Sequence, residues 1–207
     1  MRGHVRTALC SAALVAVTLA AAACGIPTDD NPRAISRENV PDEAVDATTE
    51  ATASQETVAV PISLVQSPED PRLVDVERRV PVSSPATGPD PAAVLETLLR
   101  ATPNAQERSD GITNLIPQDT RLASQPELAR GTLVVDLTSE IFDVEGENQR
   151  AAFGQIVCTA NALAGVDSVR FLVLGEPTEV QVDSGATGGP VTCSGDYPRL
   201  REQGDAG

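Results

Sequence analysis

Residues 132–137 read Thr-Leu-Val-Val-Asp-Leu, in which the two leucines and the second valine alternate with the other residues. Alternation with a period of two predicts a half-buried strand. Residues 149–163 follow with an apolar stripe at helical spacing, and residues 169–173 alternate again. The stripe consists of Phe153, Ile156, Val157, Ala160 and Ala164. Gly165 is placed to end this helix, so a strand, a helix and a strand are predicted in succession.

Two further strands and a helix precede this segment. Residues 57–65 alternate, and Pro61 within them lacks an N–H, which indicates an edge position or a bulge. Residues 72–80 are predicted to form a second strand, in which Arg78 shares a side with the valines and turns the end of the strand out of the core. The pair Asp90-Pro91 begins a helix, with the aspartate as N-cap and the proline as first helical residue.

The other segments are shorter or irregular. Residues 102–120 are predicted to be irregular, whereas residues 122–128 are predicted to form a strand interrupted by a proline. The pair Arg130-Gly131 turns the chain, and residues 180–182 form a last short strand. The order β-β-α-β-β-α-β-β predicts a single α+β domain over residues 56–182, with a mixed or antiparallel sheet and two helices packed on one face.

The first 23 residues are predicted to be a lipoprotein signal peptide. Arg2 and Arg6 precede an apolar run that is short for a membrane-spanning helix. The run ends in three alanines and Cys24, which resembles a bacterial lipobox except that Ala21 stands where the pattern usually has leucine. This sequence predicts a palmitate-type lipid anchor on Cys24 and a location at the extracytoplasmic face of the cell membrane. Ordinary cleavage at an Ala-x-Ala site is the alternative.

Polar segments are predicted on both sides of the domain. Residues 24–55 contain seven acids and no apolar period, which is typical of a disordered tether, and residues 183–207 are predicted to be a tail. The chain has 15 basic residues, all arginine, against 30 acids, a net charge of -15. Loss of residues 1–23 removes two arginines and no acid, so the exported form carries 13 minus 30, or -17.

The four cysteines divide into two groups. Cys10 is lost with the signal peptide and Cys24 carries the lipid, which leaves Cys158 and Cys193. At 100° per residue, Cys158 lies about 140° from Phe153, off the apolar stripe. A helix-surface thiol outside the cytoplasm favours oxidation, so a disulfide between Cys158 and Cys193 is predicted to pin the tail across the outer face of the second helix. Two free cysteines are the alternative.

The composition restricts the available chemistry. The only histidine, His4, leaves with the signal peptide, and the absence of lysine excludes Schiff bases. Net acidity and the low aromatic content argue against nucleic-acid binding, and no cofactor or metal is predicted. Carboxylate-pair hydrolysis stays open in principle. Its candidate residues are Asp136, Asp143, Glu145 and Glu147, of which the last three are more typical of a solvated loop.

Residues 56–182 resemble the GerMN domain, also called the sporulation and spore germination domain. The matching stretches are residues 76–80 (VERRV), 91–100 (PAAVLETLLR), 115–120 (LIPQDT), 133–138 (LVVDLT) and 165–176 (GVDSVRFLVLGE). The chain departs from the family at residues 130–133, where the family usually has an Asp-Gly turn. The resemblance implies a non-enzymatic binding or assembly module of the cell envelope, with an envelope protein as its partner.

These observations predict a lipid-anchored, extracytoplasmic binding module. One alternative is an accessory lipoprotein that regulates a membrane sensor kinase, and another is a carboxylate-dependent cell-wall hydrolase. The arginine-only basic set and the abundance of alanine, proline and glycine are typical of a GC-rich, actinobacterial genome. The candidate contact surfaces are the sheet edge near Pro61 and the irregular residues 102–120.

Overall fold

A computed structural model describes residues 56–82 and 88–201. The predicted signal peptide, Cys24 and the predicted tether lie outside the described residues. The strands are β1 (Thr57–Gln66), β2 (Arg72–Pro81), β3 (Ile112–Thr113), β4 (Glu127–Ala129), β5 (Thr132–Leu137), β6 (Ser168–Val173), β7 (Glu176–Pro177), β8 (Val180–Val182) and β9 (Gly185–Thr187). The helices are α1 (Pro91–Leu99), α2 (Ala105–Ser109), α3 (Gly146–Asn161), α4 (Cys193–Asp196) and α5 (Pro198–Arg201), with a 3-10 helix at Ser139–Phe142. No described helix combines the length and the apolarity that crossing a membrane requires.

The described strands form three sheets. β1 lies between β2 and β3 in an antiparallel sheet, and β8 and β9 form a hairpin. The third sheet has the order β4-β5-β6-β7 and is mixed, because β5 and β6 are parallel while its other pairs are antiparallel. Helix α3 connects the two parallel strands. The predicted α+β class with mixed and antiparallel pairing is confirmed, although the strands are divided among three sheets.

Helix α3 forms the centre of the core. Its residues from 151 to 160 are all buried, including the polar Gln155 and Thr159. It contacts α1, α4, β1, β6 and β8. The helix begins at Gly146, three residues before the predicted start, and ends at Asn161, so Ala164 is exposed beyond it instead of belonging to the apolar stripe. A helix buried all round carries a weak amphipathic signal, which is why the stripe describes only part of its contacts.

Residues 183–201, predicted to be part of a polar tail, fold against α3. Tyr197 and Leu200 are fully buried, and Val191 forms a two-bond bridge with β6. Gly154 provides the space on α3, since a Cβ at this position would lie 2.5 Å from Leu200 Cδ1. The predicted domain end was therefore too early. Isolated apolar residues in a glycine-rich segment give no periodic signal, so sequence patterns could not place them in the core.

Side chains of α3 complete the edge of β1. Ser63 N–H donates to Thr159 Oγ1 at 2.8 Å, and Gln155 Nε2 donates to the Ser63 carbonyl at 3.2 Å. β3 pairs only with the last two residues of β1. Pro61 lies two residues before Ser63, so its nitrogen points to the same side, away from β2. The predicted edge position of Pro61 is confirmed, because a missing N–H on that side breaks no bond to β2.

The segment between α1 and β4 is more regular than predicted. α2 and β3 lie within residues 102–120, so the prediction of an irregular stretch was wrong there. Asn104 Oδ1 accepts from Glu107 N–H at 2.9 Å, and the Glu107 carboxylate accepts from Asn104 N–H at 2.8 Å. This reciprocal capping box is readable as Asn-x-x-Glu in the sequence, and it begins α2.

The β4–β5 hairpin is shorter than predicted. Within residues 122–128 only the last two belong to a strand, and Leu122 forms an isolated bridge with Leu137. The predicted turn at Arg130-Gly131 is confirmed. Both residues have positive φ, 52° and 80°, which is the type I′ geometry that suits a tight hairpin.

Candidate binding surface

The disulfide between Cys158 and Cys193 is present in the structure, with a Cα–Cα distance of 4.8 Å. Cys193 N–H also donates to Asn161 Oδ1 at 2.7 Å, so the start of α4 is held twice against the end of α3. The pairing agrees with the sequence prediction. Cys158, however, does not lie on an outer helix surface, because residues 191–200 cover that side of α3 and leave the cysteine buried.

Asp136 is buried and performs a structural task. Its Oδ1 accepts from Gly175 N–H at 3.0 Å, and its Oδ2 accepts from Ser124 Oγ at 3.2 Å. The side chain thereby joins β5 to the turn after β6 and to the segment before β4. A carboxylate committed to these contacts is not free to act on a substrate.

The acidic loop before α3 does not converge on a site. Asp143 and Glu145 are exposed. Glu147 accepts from Arg150 Nε at 3.0 Å, and the same guanidinium forms an ion pair with Asp183, whose other oxygen accepts from a backbone N–H of α5 at 2.7 Å. Within the described part of the chain, no group of three or more acids, cysteines or histidines is arranged to hold a metal ion.

A groove runs between α1 and the end of β2 and continues around the residues that follow α1. Its two parts have volumes of about 470 and 340 Å³, and both include residues 100–102. We call it the α1 groove. The first part is lined by Arg78, Pro81, Ala93, Glu96 and Thr97 in addition to these three residues. The second part uses residues from the stretch that the sequence singled out as a candidate contact surface: Pro103, Thr113, Asn114, Ile116 and Gln118.

An ion pair at Arg78 fixes one wall of the α1 groove. Arg78 Nη1 and Nη2 donate to the two carboxylate oxygens of Glu107 at 2.8 and 2.6 Å. These bonds hold the pKa of the Glu107 carboxyl below its ordinary value. The Glu107 side chain is 12% exposed and that of Arg78 is 21% exposed, so a bidentate, partly buried contact anchors α2 to β2. Arg78 shares its side with the valines, as predicted, and Glu107 neutralises its charge there. The prediction that the end of this strand turns out of the core was wrong, because Val80, which follows Arg78, is fully buried.

Asn114 lines the second part of the α1 groove and is held from behind by the buried Gln155. Asn114 Nδ2 donates to the carbonyls of Leu98 and Ala101, at 3.0 and 3.1 Å, which satisfies the end of α1. Gln155 Nε2 donates to Asn114 Oδ1 at 3.0 Å, and Gln155 Oε1 accepts from Leu115 N–H at 3.0 Å. The groove is therefore built on a hydrogen-bonded frame that also holds the edge of β1.

The polar groups of the α1 groove suit binding. Arg100 is 64% exposed, and its contact with Glu96 is long, at 3.9 Å. Exposed pairs of this kind contribute little to stability, so the arginine is available to a partner. Ala93 and Ala101 supply apolar surface between the charged groups.

Comparisons with known proteins agree with this fold. Among solved structures, the tandem GerMN domains of the sporulation protein GerM from Bacillus subtilis match with 20% identity and a TM-score of 0.54. That match covers 71% of this chain and 48% of the other, so the chain spans about half the length of the tandem structure. The first GerMN domain of GerM matches with 20% identity and a TM-score of 0.48, covering 68% of this chain and 97% of the other. No curated protein matches the chain.

A family model gives the assignment. The model named Germane, described as sporulation and spore germination, matches residues 63–179. This range begins inside β1, includes the α1 groove and α3, and ends after β7. It covers more than half of the chain and agrees with the resemblance in the sequence. The chain therefore belongs to the Germane family of sporulation and spore germination domains.

Proposed function

We propose that this chain is a lipid-anchored, extracytoplasmic binding or assembly module of the cell envelope and that it performs no catalysis. The observation that carries the proposal is the disulfide between Cys158 and Cys193, which ties the central helix to the C-terminal segment. Structural disulfides form and persist in oxidising compartments outside the cytoplasm. The disulfide thus supports export, and the lipobox-like sequence at Cys24 supplies a reason for the protein to stay at the membrane.

The α1 groove supports the binding role. It combines apolar surface, an exposed arginine and a frame of buried hydrogen bonds, which is the usual composition of a preformed recognition surface. An envelope protein is the proposed partner. The hydrolase alternative loses its best candidate, because both oxygens of Asp136 are committed to structural contacts.

The anchor is tested by replacing Cys24 with serine in the full chain and separating membrane from soluble fractions. The expected result is a shift of the protein to the soluble fraction and loss of the lipid from its intact mass. Cys10→Ser is the matched control, since this residue lies inside the predicted signal peptide and its replacement leaves the anchor in place. A Cys24→Ser protein that stays in the membrane and still carries the mass of the lipid would contradict the proposal.

The binding role is tested by placing a photoreactive amino acid at Thr97, in the α1 groove, and irradiating whole cells. The expected product is an adduct with an envelope protein that weakens when Arg100 is replaced by glutamate. Glu179, which is exposed and does not line the groove, is the control position. An adduct of equal yield at both positions, or one that is insensitive to Arg100→Glu, would remove the groove from the proposal.

A further inference from the structure

We propose that the carboxyl end of the parallel β5–β6 pair is a second docking surface, which receives a basic partner protein with an apolar recess. This inference rests on the binding role proposed above and assigns it a different surface. Three large apolar side chains are exposed in the described part of the chain: Leu128, Phe142 and Leu174. Two of them, Phe142 and Leu174, lie at this end of the pair. We call these two residues the 142/174 patch.

The backbone brings the two residues of the 142/174 patch to the same end. Leu174 directly follows β6, and its N–H donates at 3.0 Å to the carbonyl of Leu137, the last residue of β5. Phe142 ends the 3-10 helix that starts two residues after Leu137. The Phe142 ring is 6.3 Å from the ring of Phe153 on α3, so it is held in place while 40% of the residue is exposed.

The fold does not account for a leucine at position 174. Leu174 has a φ of 52°, in the left-handed region that glycine and asparagine adopt with little strain and leucine does not. Its side chain is 63% exposed, so burial returns little of this cost. The turn itself is secured by Asp136, which accepts from Gly175 N–H. Strain together with an exposed apolar side chain indicates a role in contact with another molecule.

Unpaired acids flank the 142/174 patch and define the partner. Asp143 and Glu145 lie within three residues of Phe142, and Glu176 follows Leu174 by two. All three are exposed, and none forms an ion pair among the described residues. Apolar side chains surrounded by negative charge are complementary to an apolar recess with lysine or arginine at its rim. An anionic membrane surface would be repelled.

The test uses the full chain in its native membrane, with a photoreactive benzophenone analogue of phenylalanine in place of Phe142. Irradiation is expected to give an adduct with a protein whose crosslinked peptide contains lysine or arginine next to apolar residues. Leu174→Asn and Glu176→Lys should each reduce the adduct by about tenfold, because a central apolar contact and a complementary charge are lost.

Matched controls come from β4, the strand at the other edge of the same sheet. Leu128→Asn and Glu127→Lys make the same chemical changes on β4, whose residues are exposed, and should leave the adduct unchanged. An adduct to lipid or to a second copy of the chain would overturn the inference, and so would one that is insensitive to the two variants at the patch. If Thr97 captures a partner and position 142 does not, the proposed function stands and this inference fails. If neither position gives an adduct, both the proposed function and this inference are contradicted.

Discussion

Removing the disulfide measures how far the C-terminal segment depends on it. In a chain with both Cys158 and Cys193 replaced by alanine, the unfolded state regains the entropy of a loop defined by a sequence separation of 35. The chain-entropy relation assigns about 3.8 kcal/mol to a loop of this size, which is an upper estimate of the loss. The folded state keeps its other contacts, because Tyr197 and Leu200 stay buried against α3.

Urea unfolding of the wild type and the double variant is the assay. The expected loss in the free energy of unfolding is about 2–4 kcal/mol. In a parallel thermal melt the midpoint temperature should be roughly 10 °C lower. The urea dependence of the variant should be steeper, since an uncrosslinked chain exposes more surface on unfolding. Reductant should bring the wild type to the behaviour of the variant and leave the variant unchanged.

Leu200→Ala separates packing from crosslinking. This change leaves the disulfide intact and should cost about 2–5 kcal/mol through lost burial, with no change in the urea dependence. A double cysteine variant that loses less than about 1 kcal/mol, at unchanged urea dependence, would refute the reasoning. Such a result would mean that the disulfide does not restrict the unfolded chain as the loop length requires.

Three further predictions concern buried polar groups, strain and acid. Gln155→Leu should lower the free energy of unfolding by about 2–4 kcal/mol in urea, because the buried Ser63 carbonyl and the partly buried Leu115 N–H lose their partner. Leu174→Asn should raise it by about 1 kcal/mol in a thermal melt, because asparagine tolerates the left-handed backbone; a loss would contradict the strain argument. The lowered pKa of Glu107 means that its ion pair with Arg78 stabilises the fold at neutral pH, and this contribution is lost as the pH falls from the ordinary value of 4.5 through the lowered one. In Glu107→Gln, the midpoint temperature of thermal melts recorded between about pH 5 and 2 should therefore fall less steeply with decreasing pH than it does in the wild type.

Local signals predicted the elements that carry them. β5 has an unbroken alternation, and α1 has a side-chain cap, since Asp90 accepts from Ala92 N–H at 3.0 Å. The same rule would have found α2, because Asn104 and Glu107 stand at the spacing of a capping box. These elements were accessible to sequence reasoning because the residues that fix them are neighbours in the chain.

Long-range hydrogen bonds left no such signal. Gln155 and Thr159 lie one turn apart inside a buried helix, where a sequence pattern gives them no role. Their function appears only when α3 is placed beside Ser63, 92 and 96 residues away, whose amide and carbonyl they satisfy. The α1 groove is equally nonlocal, since Asn114, which lines it, is held from behind by Gln155. The sequence pattern marks part of this stretch as a candidate surface, but it carries no sign of the contacts that form the groove.

The cysteine pair and the buried residues of the C-terminal segment form one structural unit. The family match ends at residue 179, whereas Tyr197 and Leu200 cover α3 beyond that limit. A glycine-rich segment with few apolar side chains is poorly able to offset its own ordering entropy, and a covalent bond to Cys158 lowers that cost. Without the segment, this side of α3 would be open to solvent at Gly154, where an added Cβ would force the Leu200 side chain to shift. The glycine, the disulfide and the two buried side chains therefore all contribute to one contact, that of the C-terminal segment with α3.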